Sequence, residues 1–235
     1  MKSILITGCS SGIGLDTALS FRDAGWRVIA RCRKKKDCQV MQTKHNMHSV
    51  LIDYANEGSI TKGFTDALEY TGGQLDVLFN NGAYGIPALV EDLPTPALRA
   101  IFETNFFAPL RLSKGLVSAL SRGNGSIVNV TSIAGHKVHP FASSAYSSSK
   151  AALSALTREM ANEFSGLNVR VNAVAPGEIS TDMIQPEYEM LIPRIPLNRM
   201  GSARDVANTI FFLCSEEANY LTGTEIWVTG GQHMY

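Results

Sequence analysis

The sequence predicts an α/β fold of three layers, in which helices cover both faces of a doubly wound, seven-stranded and mostly parallel sheet. Seven short apolar runs recur along the 235 residues, and each is nearly continuous rather than alternating, which is typical of strands buried on both faces. Segments with apolar residues at three- and four-residue spacing lie between most of these runs. Strands that alternate with helices indicate parallel pairing.

The elements are predicted in the order in which these patterns occur. Strands are expected at SILITG from position 3, WRVIAR from 26, HSVLID from 48, LDVLFN from 75, SIVNVT from 126, VRVNAVA from 169 and EIWVT from 225. Helices are expected over roughly 13–24, 57–71, 96–121, 144–164 and 203–214. A length of 235 residues with 45% hydrophobic content suffices for one sizeable core, so a single domain is expected over residues 1–235.

The segment 180–202 has no clear element, because Pro186, Pro193 and Pro196 interrupt any long helix. An irregular segment of this length in a compact domain usually serves a function, and we expect it to form a lid over a substrate.

Composition and charge narrow the class of partner. Lys plus Arg and Asp plus Glu each total 21, so no net charge would draw the protein to nucleic acid or to an anionic membrane, and a small-molecule partner is expected. The four cysteines show neither CxxC pairing nor a matching His spacing, which argues against a metal site and a disulfide scaffold. No apolar run reaches the ~18 residues that span a bilayer, and the first strand leaves no room for a signal peptide. A soluble, cytoplasmic protein is therefore expected.

A glycine-rich turn, TGCSSGIG at 7–14, joins the first strand to the first helix. Glycine lets the backbone turn tightly and approach a pyrophosphate closely, and a helix start offers unpaired N–H donors and the positive end of a dipole. Gly8, Gly12 and Gly14 stand where these properties are needed. A structural turn could use the same residues, but strand, turn and helix occur in the order that phosphate binding requires.

The spacing TGxxxGxG resembles that of the short-chain dehydrogenase/reductase family, whose Rossmann-type sheet binds a nicotinamide dinucleotide. The resemblance assigns an adenine contact to the residue after the third strand and the adenosine side to NNGAYG, 80–85. The family usually reads NNAG there, so the exchange of Gly and Ala predicts a local difference in that turn. The cofactor-binding residues implied in these segments are Ser10, Ser11, Ile13, Asp53, Asn80 and Gly82.

The end of the second strand decides between the two nicotinamide dinucleotides. A carboxylate there would bind both ribose hydroxyls and repel a 2′-phosphate, but VIARCRKKKD places Arg31 and Arg33 instead. A guanidinium binds phosphate with two donors and stacks on adenine, so NADP is favoured and NAD stays open. Arg33 stands where NADP-preferring relatives carry Arg, whereas Ser11 replaces a second basic residue that the family often has. The three lysines after Arg33 are interpreted as a solvated loop.

The stretch AYSSSKAAL places Tyr146 and Lys150 four residues apart in a predicted helix, which brings them onto one side, one turn apart. Moving the pKa of a phenol from ~10 toward ~7 requires about 4 kcal/mol of preferential phenolate stabilisation. A neighbouring ammonium supplies part of it, and an oxidised nicotinamide ring adds more. Tyr146 would then take a proton from an alcohol or give one to a carbonyl.

Ser132, in NVTSIAG, follows the fifth strand at the carboxyl edge, where open parallel sheets form their ligand crevice. Its hydroxyl would hold the substrate oxygen beside Tyr146. Each residue alone is ordinary, but the order Ser132, Tyr146, Lys150 is similar to the catalytic set of the family. The resemblance adds Asn105 of ETNFFAP, which would help to hold a water near the lysine for proton relay. Backbone bonding at a helix irregularity is the alternative for Asn105.

The segment PGEISTDM, 176–183, is similar to the turn that the family places under the nicotinamide. The resemblance implies that Pro176 and Gly177 shape this turn, that the Ile179 backbone binds the carboxamide, and that the Thr181 hydroxyl binds amide or phosphate. Loops at the same edge suggest a moderately apolar pocket, although such residues are about as often mere packing. The expected wall residues are Tyr84, Ile86, Pro87, His136, Val138, His139, Phe141, Met183, Tyr188 and Met190.

The sequence therefore predicts an oxidoreductase that transfers a hydride between NADP(H) and a carbonyl or secondary alcohol of a small, moderately apolar substrate. The C-terminal third resembles the branch that contains 3-oxoacyl-[acyl-carrier-protein] reductases. Many relatives form dimers or tetramers, so a homo-oligomer is expected. Two alternatives stay open, a non-catalytic dinucleotide sensor or scaffold and a reductase of a pterin or another C=N bond on the same fold.

Overall fold

A computed structural model describes residues 1–181 and 186–234, and its centre is one sheet of seven strands that all pair in parallel. All seven predicted strands are present, and the predicted α/β fold is confirmed. Two further strands of two residues each, Ile179–Ser180 and Gly201–Ser202, pair outside this sheet. The strands are β1 Ser3–Thr7, β2 Arg27–Cys32, β3 His48–Leu51, β4 Val77–Asn80, β5 Ser126–Val130, β6 Arg170–Pro176, β7 Ile179–Ser180, β8 Gly201–Ser202 and β9 Glu225–Val228.

The helices agree with the predicted pattern at all but two places. A helix over Lys35–Thr43 was not predicted, because Met41 is its one buried residue and the apolar period is weak. The helix predicted over 96–121 is divided by a π-helical segment, Glu103–Phe107. No helix among residues 1–181 and 186–234 is long and apolar enough to cross a membrane. The α-helices are α1 Gly12–Asp23, α2 Lys35–Thr43, α3 Glu57–Thr71, α4 Thr95–Phe102, α5 Ala108–Arg122, α6 Ser144–Ser165 and α7 Ala203–Leu213.

Both faces of the sheet are buried, as the continuous apolar runs predict. Successive side chains of β1 point to opposite faces, so Ile4 and Ile6 join one core cluster with Phe21 of α1. Leu5 joins the other cluster, which contains Leu112 of α5. Helices therefore cover both faces, and the three-layer, doubly wound arrangement is confirmed.

The strand order places the functional edge of the molecule. The order across the sheet is β3-β2-β1-β4-β5-β6-β9, so the chain reverses its direction of winding between β1 and β4. Ligands of open α/β sheets bind outside the carboxyl ends of the strands at such a reversal. The loops after β1, β4, β5 and β6 all lie at this edge.

The predicted lid, 180–202, has more regular structure than expected. Pro186–Arg194 forms a 3-10 helix, with Pro193 inside it, and the pairing of β7 with β8 joins the two ends of the segment. Leu191 of this helix and Ile195 directly after it are 2% and 3% exposed, so the segment is anchored in the protein interior. Residues 182–185 of the segment lie outside the described residues.

Candidate active site

Two close backbone approaches shape the glycine turn after β1. Gly8 has a φ of +66°, and a Cβ there would lie 2.7 Å from the Cα of Gly82. A Cβ on Gly14, in the first turn of α1, would lie 2.2 Å from the Gly8 carbonyl oxygen. Neither position has room for a side chain, so the turn, the start of α1 and the loop after β4 are in direct contact.

Two side chains that were not predicted as site residues hold this turn in place. The Thr7 hydroxyl accepts hydrogen bonds of 2.9 Å from the backbone N–H groups of both Asn81 and Gly82. The Asn81 amide donates to the carbonyl oxygens of Thr7 at 3.1 Å and Gly8 at 2.9 Å. The loop after β4 is therefore fastened to the turn after β1 across the reversal point of the sheet.

The start of α1 is suited to an anion. Ser11 precedes the helix, its hydroxyl makes no capping bond within the described part of the chain, and Ser10 and Ser11 are both exposed. Unpaired N–H groups and the positive end of the helix dipole therefore point toward the turn. Thr181 lies at the same place, because a Cβ on Gly12 would lie 3.3 Å from Thr181 Cγ2. The structure thus brings together Gly8, Ser10, Ser11, Gly12, Ile13, Gly14 and Thr181.

The two arginines at the end of β2 have different surroundings. Arg31 is 6% exposed, and its guanidinium donates to the Ile52 carbonyl and stacks on the Tyr54 ring, with its Cζ 3.7 Å from the ring centroid. Arg33 is exposed between β2 and α2. Arg33 is therefore available at the crevice edge, whereas Arg31 is occupied with residues beyond β3.

Asn80 points into the protein and not toward the glycine turn. It is 3% exposed, and its amide donates to Asn129 Oδ1 at 2.9 Å, while the Asn129 amide donates to Thr157 Oγ1 at 2.9 Å. This polar ladder joins β4, β5 and α6. Asn81 and Gly82 are the residues of this loop that contact the glycine turn, and the part of Asn80 in cofactor binding stays a prediction.

Asp53 lies after β3, at the same edge of the sheet. It is exposed, and its Oδ1 accepts a hydrogen bond of 3.1 Å from the N–H of Ala55. Its backbone N–H donates to Ser59 Oγ at 2.9 Å, which fixes the loop. The contact between Asp53 and adenine stays a prediction.

Ser132, Tyr146 and Lys150 meet where β5 ends and α6 begins. The Ser132 side chain lies close enough to the Tyr146 hydroxyl to lower its pKa, and Ser132 Oγ accepts a hydrogen bond of 3.1 Å from the N–H of Ala134. Lys150 Nζ lies 5.7 Å from the centroid of the Tyr146 ring and donates to the Val130 carbonyl at 2.7 Å. The side chains of Tyr146 and Lys150 are neighbours, as their four-residue spacing predicts.

Burial dominates the electrostatics of this pair. Burial raises the pKa of Tyr146 to about 12, the Ser132 hydrogen bond lowers it, and the charges of Tyr188 and Glu178 raise it. Burial also lowers the pKa of Lys150 from 10.5 to about 7. Burial therefore outweighs any stabilisation of the phenolate by Lys150, which is itself only 2% exposed. The combined effect of the ammonium and an oxidised nicotinamide ring on the Tyr146 pKa stays a prediction.

Asn105 lies in the π-helical segment between α4 and α5 and is 1% exposed. It accepts from the Tyr84 N–H at 2.8 Å and donates to the Tyr84 carbonyl and the Ser149 hydroxyl, both at 2.9 Å. Ser149 in turn donates to the Tyr146 carbonyl at 2.7 Å. The Asn105 side chain therefore connects the loop after β4 to α6, and its part in a water relay to Lys150 stays a prediction.

The turn after β6 is held against the C-terminal residues. Pro176 ends β6, and the Gly177 N–H donates to the Val228 carbonyl at 3.0 Å. A Cβ on Gly177 would lie 2.7 Å from Gln232 Oε1 and 3.1 Å from Thr229 Cα, so this turn packs closely against the C-terminal residues. Ile179 is 5% exposed and begins β7. The binding of a carboxamide by the Ile179 backbone stays a prediction.

Aromatic side chains assemble part of the predicted pocket wall. The Phe141 and Tyr188 rings lie 4.5 Å apart, and the His139 ring lies 6.0 Å from Tyr188. Gly85, in the loop after β4, packs against the phenol, because a Cβ there would lie 2.8 Å from Tyr146 Cδ2. The loops after β4 and β5 and the 3-10 helix thus surround Tyr146.

Other predicted wall residues lie elsewhere. Val138 is 95% exposed and Met190 is 65% exposed. His136 Nε2 lies 3.0 Å from Glu225 Oε2, at the β9 edge of the sheet. Met183 lies outside the described residues.

Sequence reasoning missed several residues of this edge. Thr7 and Asn81 stand inside motifs that were recognised, TGxxxGxG and NNG, but a motif does not indicate which side chains bond across the sheet. Glu178 gave a clearer signal, because an acidic residue between Gly177 and Ile179 interrupts an otherwise apolar turn. Its partner, His139, was predicted as part of the pocket wall and not as part of the mechanism.

The site and the fold define a class of protein, the oxidoreductases with a Rossmann-type nucleotide sheet. The chain belongs to the short-chain dehydrogenase/reductase family, and the resemblance found in its motifs is confirmed. A family model described as Enoyl-(Acyl carrier protein) reductase matches residues 8–233.

Relatives of known name are similar over nearly the whole chain. Protein FixR of Bradyrhizobium diazoefficiens is 42% identical over 99% of this chain and 87% of its own length. The 3-oxoacyl-[acyl-carrier-protein] reductase FabG of Thermotoga maritima is 34% identical over 98% of this chain and 97% of its own.

Among solved structures, ElxO with NADP bound is 28% identical, with a TM-score of 0.91 over 100% of this chain and 99% of its own. The 4-hydroxyisoleucine dehydrogenase complexed with NADH is 29% identical, with a TM-score of 0.91 over 100% of both chains.

Proposed function

We propose that the protein transfers a hydride between NADP(H) and a carbonyl or secondary alcohol of a small, moderately apolar substrate. The observation that carries the proposal is the contact of Ser132, Tyr146 and Lys150 at the sheet edge that also holds the glycine turn. The similarity to solved structures with NADP and with NADH bound supports a nicotinamide dinucleotide as the cofactor.

The residues of the glycine turn fit such a cofactor. The open start of α1 and the absence of space for side chains at Gly8 and Gly14 suit a diphosphate. The exposed guanidinium of Arg33 suits a 2′-phosphate, which favours NADP over NAD. When bound, the cofactor supplies the hydride or accepts it.

The chemical groups of the chain move the proton. In carbonyl reduction, the Tyr146 hydroxyl donates its proton to the substrate oxygen, which Ser132 holds by a hydrogen bond. Because burial keeps the Tyr146 pKa high, the protein supplies the protonated phenol at neutral pH, and this form suits reduction. Lys150, with a pKa of about 7, titrates near neutral pH beside the Tyr146 ring and is suited to exchange protons with it.

A homo-oligomer, a dimer or tetramer, is part of the proposal. Leu98 of α4 and Phe107 of the π-helical segment are 40% and 45% exposed, and Ala155 is exposed on α6, a helix that contacts both of these elements. Such apolar positions suit contact with a second copy. Light scattering that reports a monomer at assay concentration would contradict this part.

The test is an assay of the purified protein with NADPH and NADH against ketones, aldehydes, 3-oxoacyl esters, a pterin and an imine. We expect reduction of at least one carbonyl compound, with kcat/KM higher for NADPH. Calorimetry of NADPH binding is run in parallel. Binding without turnover would support the non-catalytic sensor, turnover of only the pterin or imine would support a C=N reductase, and a higher kcat/KM with NADH would contradict the cofactor preference.

A further inference from the structure

Glu225, on the edge strand β9, contacts three segments that surround the proposed catalytic groups. Its side chain is 15% exposed. Its Oε1 is hydrogen bonded to the Thr131 hydroxyl. Its Oε2 accepts a hydrogen bond of 2.6 Å from Ser154 Oγ and lies 3.0 Å from His136 Nε2. Thr131 and Ser154 are 1% and 3% exposed. One carboxylate therefore joins the end of β5, the loop after it and the buried side of α6.

The small side chain of Ala173 lets Glu225 reach across β6. This strand lies between β5 and β9, and Ala173 pairs with Glu225 on one side and with Asn129 on the other. Side chains paired in this way point to the same face of the sheet, and Thr131, two residues after Asn129, shares that face. Because Ala173 is fully buried and carries only a methyl group, the carboxylate has room to pass over it. The register of the sheet thus brings Glu225 to Thr131.

Thr131 is the middle one of three consecutive residues at the end of β5, and both of its neighbours meet a proposed catalytic group. Before it, the Val130 carbonyl accepts the hydrogen bond of 2.7 Å from Lys150 Nζ. After it, the Ser132 side chain lies close to the Tyr146 hydroxyl. A displacement of Thr131 would therefore move the acceptor of the lysine and the serine hydroxyl together.

The second hydrogen bond of Glu225 fixes α6 relative to this strand end. Ser154 follows Lys150 by four residues, so it lies one turn further along the same side of the helix. We propose that Glu225 is a positioning residue, which holds Ser132 and Lys150 at the positions that proton transfer requires. It acts on them through Thr131 and Ser154, and the inference rests on the proposed function. A misplacement of about 1 Å that is caused far from the chemistry can lower a rate by about 10²-fold.

The test compares Glu225→Ala and Glu225→Gln with a matched structural control, Asp76→Ala. Asp76 also joins two strands by its carboxylate, because it accepts from the Ser3 N–H at 2.7 Å and from the Ser3 hydroxyl at 2.8 Å. It lies at the amino ends of β1 and β4, at the opposite edge of the sheet. Asp76→Ala should therefore lower Tm and leave kcat unchanged.

We expect Glu225→Ala to lower kcat for carbonyl reduction roughly 10- to 100-fold, with the Kd for NADPH within about twofold. Glu225→Gln should keep kcat within about threefold of the wild type, because its amide can bond the two hydroxyls as acceptor and as donor. If Glu225→Ala does not fold, Ser154→Ala removes one of the two bonds alone and should lower kcat roughly 3- to 10-fold.

Amide hydrogen exchange measures the same positioning without turnover. The Ala134 N–H donates to Ser132 Oγ at 3.1 Å, so its exchange rate reports whether this hydroxyl keeps its place. Exchange at Ala134 should accelerate roughly 5- to 10-fold in Glu225→Ala and stay near the wild-type rate in Glu225→Gln and Asp76→Ala.

An unchanged kcat in Glu225→Ala would overturn the inference. A loss of kcat in Glu225→Gln or in Asp76→Ala as large as that in Glu225→Ala would also overturn it, because the effect would then not come from the two hydrogen bonds. Failure of the proposed function has a different signature, since the wild type would then reduce no carbonyl compound. In that case the exchange rate at Ala134 still decides whether Glu225 positions Ser132, and an unchanged rate in Glu225→Ala would contradict it.

Discussion

The two ends of the candidate site, the dinucleotide end and the chemical end, differ in the kinds of atoms that form them. At the dinucleotide end, backbone atoms touch, as where Gly14 packs against the Gly8 carbonyl, and neutral side chains such as Asn81 fasten the turn. At the chemical end, buried ionisable side chains meet, and Lys150 and Tyr146 both have perturbed pKa values. The dinucleotide end should therefore be sensitive to substitutions that add volume, and the chemical end to substitutions that change charge. Substitutions of the two kinds should therefore separate cofactor binding from turnover.

The largest effect is expected for Tyr146→Phe, which removes the proton donor with almost no change in shape. Turnover should fall by roughly 10²- to 10⁴-fold, while the Kd for NADPH stays within about twofold. Steady-state kinetics and fluorescence titration measure the two quantities. Tyr220→Phe is the matched control, because Tyr220 is 99% exposed and outside the candidate site, and it should retain most activity. Unchanged turnover in Tyr146→Phe would contradict the role of Tyr146 as the proton donor.

Gly14→Ala tests the backbone-built end by volume. The new Cβ would lie 2.2 Å from the Gly8 carbonyl oxygen, so the turn or α1 must move. We expect the Kd for NADPH to rise at least about tenfold and the free energy of unfolding to fall by about 1–3 kcal/mol. Gly166→Ala is the control, because nothing lies within 4 Å of its Cβ and its φ is −66°. An equal effect of both substitutions would contradict the claim that the close packing at Gly14 determines cofactor binding.

Arg33→Ala tests the one position at the dinucleotide end where a change of charge, and not of volume, is expected to alter cofactor use. Loss of charge-assisted hydrogen bonds to a 2′-phosphate should lower kcat/KM for NADPH roughly 10- to 100-fold and leave that for NADH within about twofold. Lys36→Ala removes a neighbouring exposed cation and should have little effect. Equal losses with both cofactors would contradict the assignment of Arg33.

Lys150→Met should change how stability depends on pH. The folded pKa of Lys150 is about 7 against 10.5 for the free group, so the unfolded chain binds the extra proton between these values. The destabilisation is fully present below about pH 7 and disappears by about pH 10.5, so the wild type should gain stability relative to the Met variant as pH rises through this window. Between pH 7 and pH 10 this linkage amounts to about 4 kcal/mol, so Tm measured from pH 6 to pH 10 should change in favour of the wild type by roughly 8–16 °C, at about 2–4 °C per kcal/mol.

Exposed Lys34 gives the control for this measurement, because Lys34→Met should show no such slope. A pH-independent difference between the wild type and Lys150→Met would mean that Lys150 stays charged in the folded protein.

The sequence predicted correctly those parts of the fold that have a repeating hydrophobic pattern or a known motif spacing. The seven strands of the sheet and most of the helices follow from apolar runs, and the glycine turn follows from its spacing. α2 was missed because Met41 is its one buried residue, and the π-helical segment has no period of its own.

The sequence predicted which residues meet in the candidate site, but not the burial, orientation or hydrogen-bond partners of their side chains. Tyr146 and Lys150 were expected side by side and are, yet the direction of the Tyr146 pKa shift depends on burial, which sequence spacing does not report. Asn80 and Asn81 are adjacent, and only the pleat of β4 decides which one turns inward. The contact of His139 with Glu178 joins residues from two loops, which no local pattern could anticipate.

The polar ladder from Asn80 through Asn129 to Thr157 restricts how β4 and β5 can align. Sliding one strand past the other by a single residue would leave two amides in the hydrocarbon interior without partners, and each orphaned group costs about 1–3 kcal/mol. That penalty selects one alignment during folding. Asn81 follows β4 and Ser132 follows β5, so the same alignment places Asn81 at the glycine turn and Ser132 near the Tyr146 phenol. The buried bond between Asn80 and Asn129 therefore fixes the distance between the two ends of the candidate site.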